Sequence, residues 1–330
     1  MRGLGGDGEA FLAAADLAGD PPDDPGRAGG RAFAAWTEQA SVRRAPRRML
    51  GPGDAALDMF PRALVPHIDH PIVRDRYPDA IPDLLVLALY RYLDFTTNLE
   101  TFVVNETTLE LISGRGPVAL SGEERIDAYR LFCDEGFHAL FSADLARQAA
   151  ILTGRRPAPA VAPAFLRRVR ARQAQGAGAL ERFLFTAVSE MLITGNLAEA
   201  RRHDETPAAV RGIFTDHAAD EYRHRLFYGD LLGRLLHEAG PTAESAAALL
   251  PDMIMDYMAP DTDNILLDLL EAGLPRDAAE QVCAETYAPE RHAPYVQSSS
   301  AVVLALLADR GLTRRPVVAD RLHATGLMGT

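Results

Sequence analysis

Residues 216–224 read DHAADEYRH, which brings His217, Asp220, Glu221 and His224 into one short stretch. At helical spacing, offsets of four and then three put His217, Glu221 and His224 on a single face. Such groups are costly to bury unpaired, so a helix that masses them on one stripe needs partners elsewhere or water. A second segment answers the first: residues 134–138 read DEGFH, and residues 220–224 read DEYRH. Both are D-E-x-x-H. Glu and His at i and i+3 lie close enough to bind one ion or two adjacent ones. The zinc-protease pattern H-E-x-x-H is absent from the stretch.

Both motifs fall in long helical segments. A capping box, Ser121 to Glu124, opens a helix running to about Leu152, and Thr206-Pro207 opens another running to about Glu238. Upstream, the apolar pattern predicts a helix from about Asp83 to Leu111. A further helix near Pro163 breaks around Gly176 and Gly178 and resumes from Leu180 to Arg202. Helices near 242–257, 262–272, 276–286 and 298–310 follow. Alternating β-branched segments are nearly missing, so the fold class is all-α, an antiparallel bundle with added C-terminal helices.

A metal site in such a bundle also needs one glutamate from each of the two other helices. In the first helix Glu100 lies within the stripe of Leu85, Leu89, Leu93 and Val103, while Glu106 points roughly 120° away. In the helix ending near Arg202, Glu190 sits among Phe183, Thr186, Ala187 and Ile193, whereas Glu181 and Glu199 lie at the ends. Two units of E…DExxH result, and they predict a carboxylate-bridged dinuclear centre held by Glu100, Glu135, His138, Glu190, Glu221 and His224. Carboxylates and imidazoles suit iron or manganese. Asp134 and Asp220 neighbour the ligand glutamates but point off the metal-facing stripe. Each is expected to accept from the histidine of the opposite motif, fixing its tautomer.

Composition narrows the function. Acidic residues outnumber basic ones, 46 to 34, for a net charge of −12, which argues against nucleic acid and anionic membrane as partners. Every basic residue is arginine, so Schiff-base chemistry and a Walker-type phosphate loop are excluded. Two cysteines, Cys133 and Cys283, make no disulfide framework and fit a reducing compartment. No signal peptide or membrane-length apolar run is evident, the longest being LLVLALY at 84–90, so a cytoplasmic location is expected. Residues 1–30, rich in Gly, Pro and Asp, read as a mobile leader ahead of one domain over 31–330. The GLGGDG run at 3–8 matches G-x-G-x-x-G formally, but no strand can precede it.

With LETFVVN around Glu100, DEGFHALF around Glu135 and His138, the buried Glu190, and DHAADEYRH, the chain resembles the AurF-type arylamine N-oxygenases, ferritin-like di-iron proteins. The resemblance runs from about residue 35 to 315. It implies that His217 is a seventh ligand, which spacing alone leaves unexplained. It also implies two iron ions, O₂ as co-substrate, a ferredoxin or reductase as external electron donor, a small-molecule amine substrate and a homodimer. The expected activity is oxidation of an amine, through hydroxylamine and nitroso stages towards nitro, in antibiotic biosynthesis. Another di-iron oxidase or hydroxylase is the nearest alternative, and a ferroxidase or storage protein the alternative of another class. Tyr92, Thr96, Ile193, Thr194 and Leu197 are expected to be core packing. Arg291 and the histidines outside the motifs (His67, His70, His203, His237, His292 and His323) are expected at the surface or at helix caps.

Overall fold

The structure, a computed structural model, describes residues 32–158, 160–200, 205–237 and 240–328, with the side chains of 194–200 outside the description. The leader 1–30 and His203 also lie outside the described residues. Among those described the fold is all-α and ferritin-like, without a strand. Two short helices come first, α1 (Trp36–Gln39) and α2 (Ser41–Arg44), then a chain of single turns to Ala80. The bundle is built from α3 (Ile81–Leu99), α4 (Asn105–Ile112), α5 (Gly122–Thr153), α7 (Ala179–Ala200) and α8 (Ala208–His237), with α6 (Ala164–Ala174) leading into α7. Around it lie α9 (Pro241–Met258), α10 (Thr262–Glu271), α11 (Arg276–Thr286), α12 (Pro289–Asp309) and α13 (Pro316–Ala324).

Local chemistry sets these bounds. Ser121 accepts from the Glu124 N–H while the Glu124 carboxylate accepts from the Ser121 N–H, which is the capping box expected at the start of α5. Gly154, at φ +68°, ends α5 in the left-handed region that favours glycine. Gly176, at φ +95°, makes the break between α6 and α7.

Packing is most extensive between α7 and α8 and next between α3 and α5, the two hairpins that carry E…DExxH. One cluster of buried apolar side chains runs from Phe33 through Leu85, Phe183, Phe214 and Leu250 to Leu327. Arg91 binds both oxygens of Asp268, tying α10 to α3.

Four features depart from the sequence expectation. The helix predicted over 83–111 is not continuous, because Glu100–Val104 forms a π turn in which the Asn105 N–H bonds to the Glu100 carbonyl, five residues back. Helix α12 begins at Pro289 rather than 298, with Pro294 in its interior, and α13 was not foreseen. His67 and His70 are not surface residues: both are buried, His67 against the Tyr287 hydroxyl at 2.8 Å and His70 against Glu285 at 3.1 Å. Burial pushes the His67 imidazole down to about 4, so it is neutral at physiological pH.

Candidate metal centre

The sequence-singled residues converge. Ligand-type atoms of Glu100, His138, His217 and Glu221 lie within 4.8 Å of one another, as do those of Glu135, Glu190, Glu221 and His224. The two groups share Glu221 and are wholly enclosed, with six of the seven residues at 0% exposure and Glu190 at 1%. Glu106, on the opposite side of its helix, is exposed.

The π turn is the local device at Glu100. By adding a residue to the turn it shifts the helical phase, so Glu100 faces inward while Val103, Val104 and Thr107 stay buried beyond it. On α8, His217 Nε2 lies 3.0 Å from Glu221 and 3.5 Å from Glu100. His224 Nδ1 lies 2.8 Å from Glu135, 3.4 Å from Glu221 and 3.7 Å from Glu190. On α5, His138 Nδ1 is 2.8 Å from Glu135 and 3.6 Å from Glu221.

Each imidazole is held from its far side. His138 Nε2 meets Asp220 at 3.1 Å and His224 Nε2 meets Asp134 at 3.2 Å, so each aspartate serves the opposite motif. His217 is turned the other way, its Nδ1 lying 3.2 Å from the Tyr92 hydroxyl. Tyr92 therefore does more than pack the core. Thr96 and Ile193 are buried, while the side chains of Thr194 and Leu197 lie outside the described residues.

Residues 32–48 contribute partners that the motifs alone did not signal. The Trp36 indole N–H donates to both oxygens of Asp134 at 2.9 Å, and the Ser41 backbone N–H to both oxygens of Asp220 at 3.2 and 3.3 Å. The Arg223 guanidinium also donates to Asp220, and the Phe33 ring stacks on His224 with centroids 6.1 Å apart. The only available hint was that Trp36 is the sole tryptophan of the chain.

Crowded acids and bases perturb one another. Burial and the neighbouring charges of Glu135 and Glu221 raise the Glu100 carboxyl to about 8, and burial with the same neighbours holds Glu190 well above the ordinary carboxyl range. Burial pushes Glu135 and Glu221 upward too, but the adjacent imidazoles outweigh it and hold both below that range. The three histidines are raised despite burial, His217 by Tyr92 and then Glu100 and Glu221, His224 by the charges of Glu135 and Glu221, and His138 by its bonds to Asp220 and Glu135; His138 stands at about 9. Asp220 is lowered to about 2, burial being outweighed by its bond to His138.

The donor set fits a metal pair. Both oxygens of Glu100 and of Glu221, Oε1 of Glu135, Oε2 of Glu190, Nε2 of His217 and Nδ1 of His224 make no well-oriented hydrogen bond among the described residues, although the two nitrogens stand 3.0 and 2.8 Å from carboxylate oxygens. All are buried in one interior, where orphaned polar atoms are expensive. Oxygen and imidazole donors converging without a thiolate match iron or manganese rather than structural zinc. Cys133 is exposed, and Cys283 lies on α11.

Comparison with known proteins gives one family. The family model described as "P-aminobenzoate N-oxygenase AurF" matches residues 45–311, most of the chain. Among curated proteins, none matches.

Proposed function

The chain belongs to the AurF family of p-aminobenzoate N-oxygenases, and from that premise we propose that it is a di-iron N-oxygenase acting on a small-molecule amine, most simply an arylamine. One observation carries the reading: two four-residue donor groups, joined at Glu221, crowd carboxylate oxygens and imidazole nitrogens into a common interior, most of the oxygens without a hydrogen bond. Glu100, His138, His217 and Glu221 would hold one iron, and Glu135, Glu190, Glu221 and His224 the other. When bound, the iron pair supplies dioxygen activation and electron storage. Each oxygen insertion consumes one O₂, two electrons and two protons and returns one water, so an external electron donor is required.

The protein's own groups set the conditions. Asp134 and Asp220 keep the far nitrogens of His224 and His138 as donors, which turns Nδ1 of each ring towards the cluster, where it now meets Glu135 and would exchange that contact for a metal. Tyr92 does the same for His217 from Nδ1, leaving Nε2 free. The histidine side is covered by residues 32–48. Beside the π turn that carries Glu100 lies a mainly apolar cleft lined by Val103, Thr107, Val169, Phe185 and Met253, with the charges of Glu106, Arg172, Glu181 and Arg182 also in its wall. That side is the approach we assign to the amine. The same reading includes one domain over residues 31–330, a homodimer, a cytoplasmic location and a place in antibiotic biosynthesis. Among the described residues, no helix is long and apolar enough to cross a membrane.

The test is to measure iron per chain, then give the reduced protein O₂ with an aminoarene and look for hydroxylamine, nitroso or nitro products. Two irons per chain and an oxidised nitrogen support the assignment. Two irons with consumption of O₂ but no attack on the amine indicate a different di-iron oxidase or a ferroxidase. No metal uptake overturns the metal centre.

A further inference from the structure

Segment 33–48 touches the two motif helices in alternation. Trp36 donates to Asp134 on α5, the Ser41 N–H to Asp220 on α8, Arg47 to Asp144 on α5 and Arg48 to Asp216 on α8. Ser41 adds a bond from its hydroxyl to the Asp216 carbonyl at 3.0 Å. The two inner contacts fall on the carboxylates that hold His224 and His138. The family match begins at residue 45, so Trp36 and Ser41 lie ahead of it.

We propose that Phe33–Arg48 is a positioning strap in which Trp36 sets the ring of His224 through Asp134, and the Ser41 N–H sets the ring of His138 through Asp220. The inference rests on the metal-centre reading. It follows from donor chemistry. An indole N–H and a peptide N–H are neutral and cannot take a proton from a carboxylate or give one up to it. They fix the aspartate's orientation without neutralising it; at Asp220 the Arg223 guanidinium shares that charge with the His138 N–H, and at Asp134 it stands 3.9 Å away. Each donor is shared between both oxygens of its aspartate, so each fixes the plane of the carboxylate as well as its position. Phe33, stacked on His224, closes the remaining freedom of that ring. A strap that served only to cover the bundle would have no need to place its donors on these two carboxylates.

Two substitutions separate the arms. Trp36→Phe removes the N–H and keeps an aromatic ring. Ser41→Pro removes the other N–H at the first residue of α2, where proline is well tolerated and the preceding Ala40 already has the extended backbone (φ −60°, ψ 138°) that a following proline requires; it also removes the hydroxyl's bond to the Asp216 carbonyl, for which Ser41→Ala, with its N–H intact, is the control. Cobalt(II) titration of the metal-free protein, followed by its visible bands, reads the two sites as two phases, with Glu190→Ala and His217→Ala marking which phase belongs to which site. Trp36→Phe is expected to weaken the phase lost in Glu190→Ala, and Ser41→Pro the phase lost in His217→Ala, each by about 10–100-fold. The metal-free variants should lose a few degrees of thermal midpoint at most, because Phe33, Arg47 and Arg48 still hold the strap to the bundle. The proposal is overturned if neither variant changes either phase, or if both variants weaken both phases alike. Should one variant not fold, the other decides alone. A wild-type chain that takes up no cobalt overturns the metal centre as well, a result distinct from two intact phases in both variants.

Discussion

Raising the pH should destabilise the metal-free protein, and the size of the effect follows from the site. The sign is set by the groups whose folded values lie above their unfolded ones. His138 moves from 6.5 to about 9 and Glu100 from 4.5 to about 8. A raised group contributes stability that is complete below its unfolded value and is lost as pH climbs through its folded value. The His138 contribution therefore drains between 6.5 and 9, and that of Glu100 between 4.5 and 8. Between 6.5 and 8 both act together, each worth about 1.4 kcal/mol per pH unit, so stability falls by about 3 kcal/mol per pH unit. His217, His224 and Glu190 are raised as well and deepen the slope. Among the lowered groups, stability from Glu135, Glu221 and Asp220 is lost only as pH falls through their depressed values, below this window, and His67, lowered to about 4, opposes the decline only up to about 6.5. Against a total stability of about 5–15 kcal/mol, the loss is large. Urea unfolding of chelator-stripped protein at steps from pH 6 to 8.5, alongside metal-loaded protein, measures it. Metal binds the deprotonated groups, so the loaded protein should not show the decline. A stripped protein whose midpoint is level or rises over that range would refute the reasoning.

Other outcomes follow from the same geometry. Metal uptake at pH 7 should release protons from the three imidazolium groups and from the carboxylic acids of Glu100 and Glu190, read by calorimetry in buffers of different ionisation enthalpy; uptake without proton release contradicts the charge state. Tyr92→Phe deletes the hydroxyl on His217 Nδ1 and should weaken metal binding at that site by about 10-fold, with about 1 kcal/mol lost from folding, checked by metal titration and denaturation. Phe33→Ala empties a position 1% exposed between His224 and Phe227 and should cost about 3–5 kcal/mol; an unchanged unfolding midpoint would show that the strap does not pack there.

What could be read in advance divides along a physical line. The motif helices were legible because their signals are local: a capping box at Ser121, proline after Thr206, and Glu and His three residues apart. Glu100 was legible because helical phase separates it from Glu106. The π turn at Glu100 was not, since one extra residue leaves no mark in composition and shows only in which neighbours remain buried. His67 and His70 were misjudged because their partners, Tyr287 and Glu285, stand more than 200 residues away in sequence. Trp36 and Ser41 escaped for the same reason. The Ser41 donor is a backbone N–H, which every residue but proline carries, so no residue type could announce it.

The strap also answers a packing problem that the buried acids and imidazoles create. Hairpins α3–α5 and α7–α8 are joined by broad apolar contact, but α5 and α8 meet far less extensively. Across that seam His138 meets Glu221 and His224 meets Glu135, all four buried. Hydrophobic burial cannot hold that seam closed, because the groups lining it are paired acids and bases whose burial costs free energy. In the metal-free chain, protons shared among carboxylates and imidazoles take up part of this cost. The Trp36, Ser41 and Arg48 contacts then draw α5 and α8 together from outside, where Asp134, Asp220 and Asp216 are reachable. A cluster of acids and imidazoles is by construction a poor core, and the sixteen residues from Phe33 to Arg48 stand where the missing cohesion is needed.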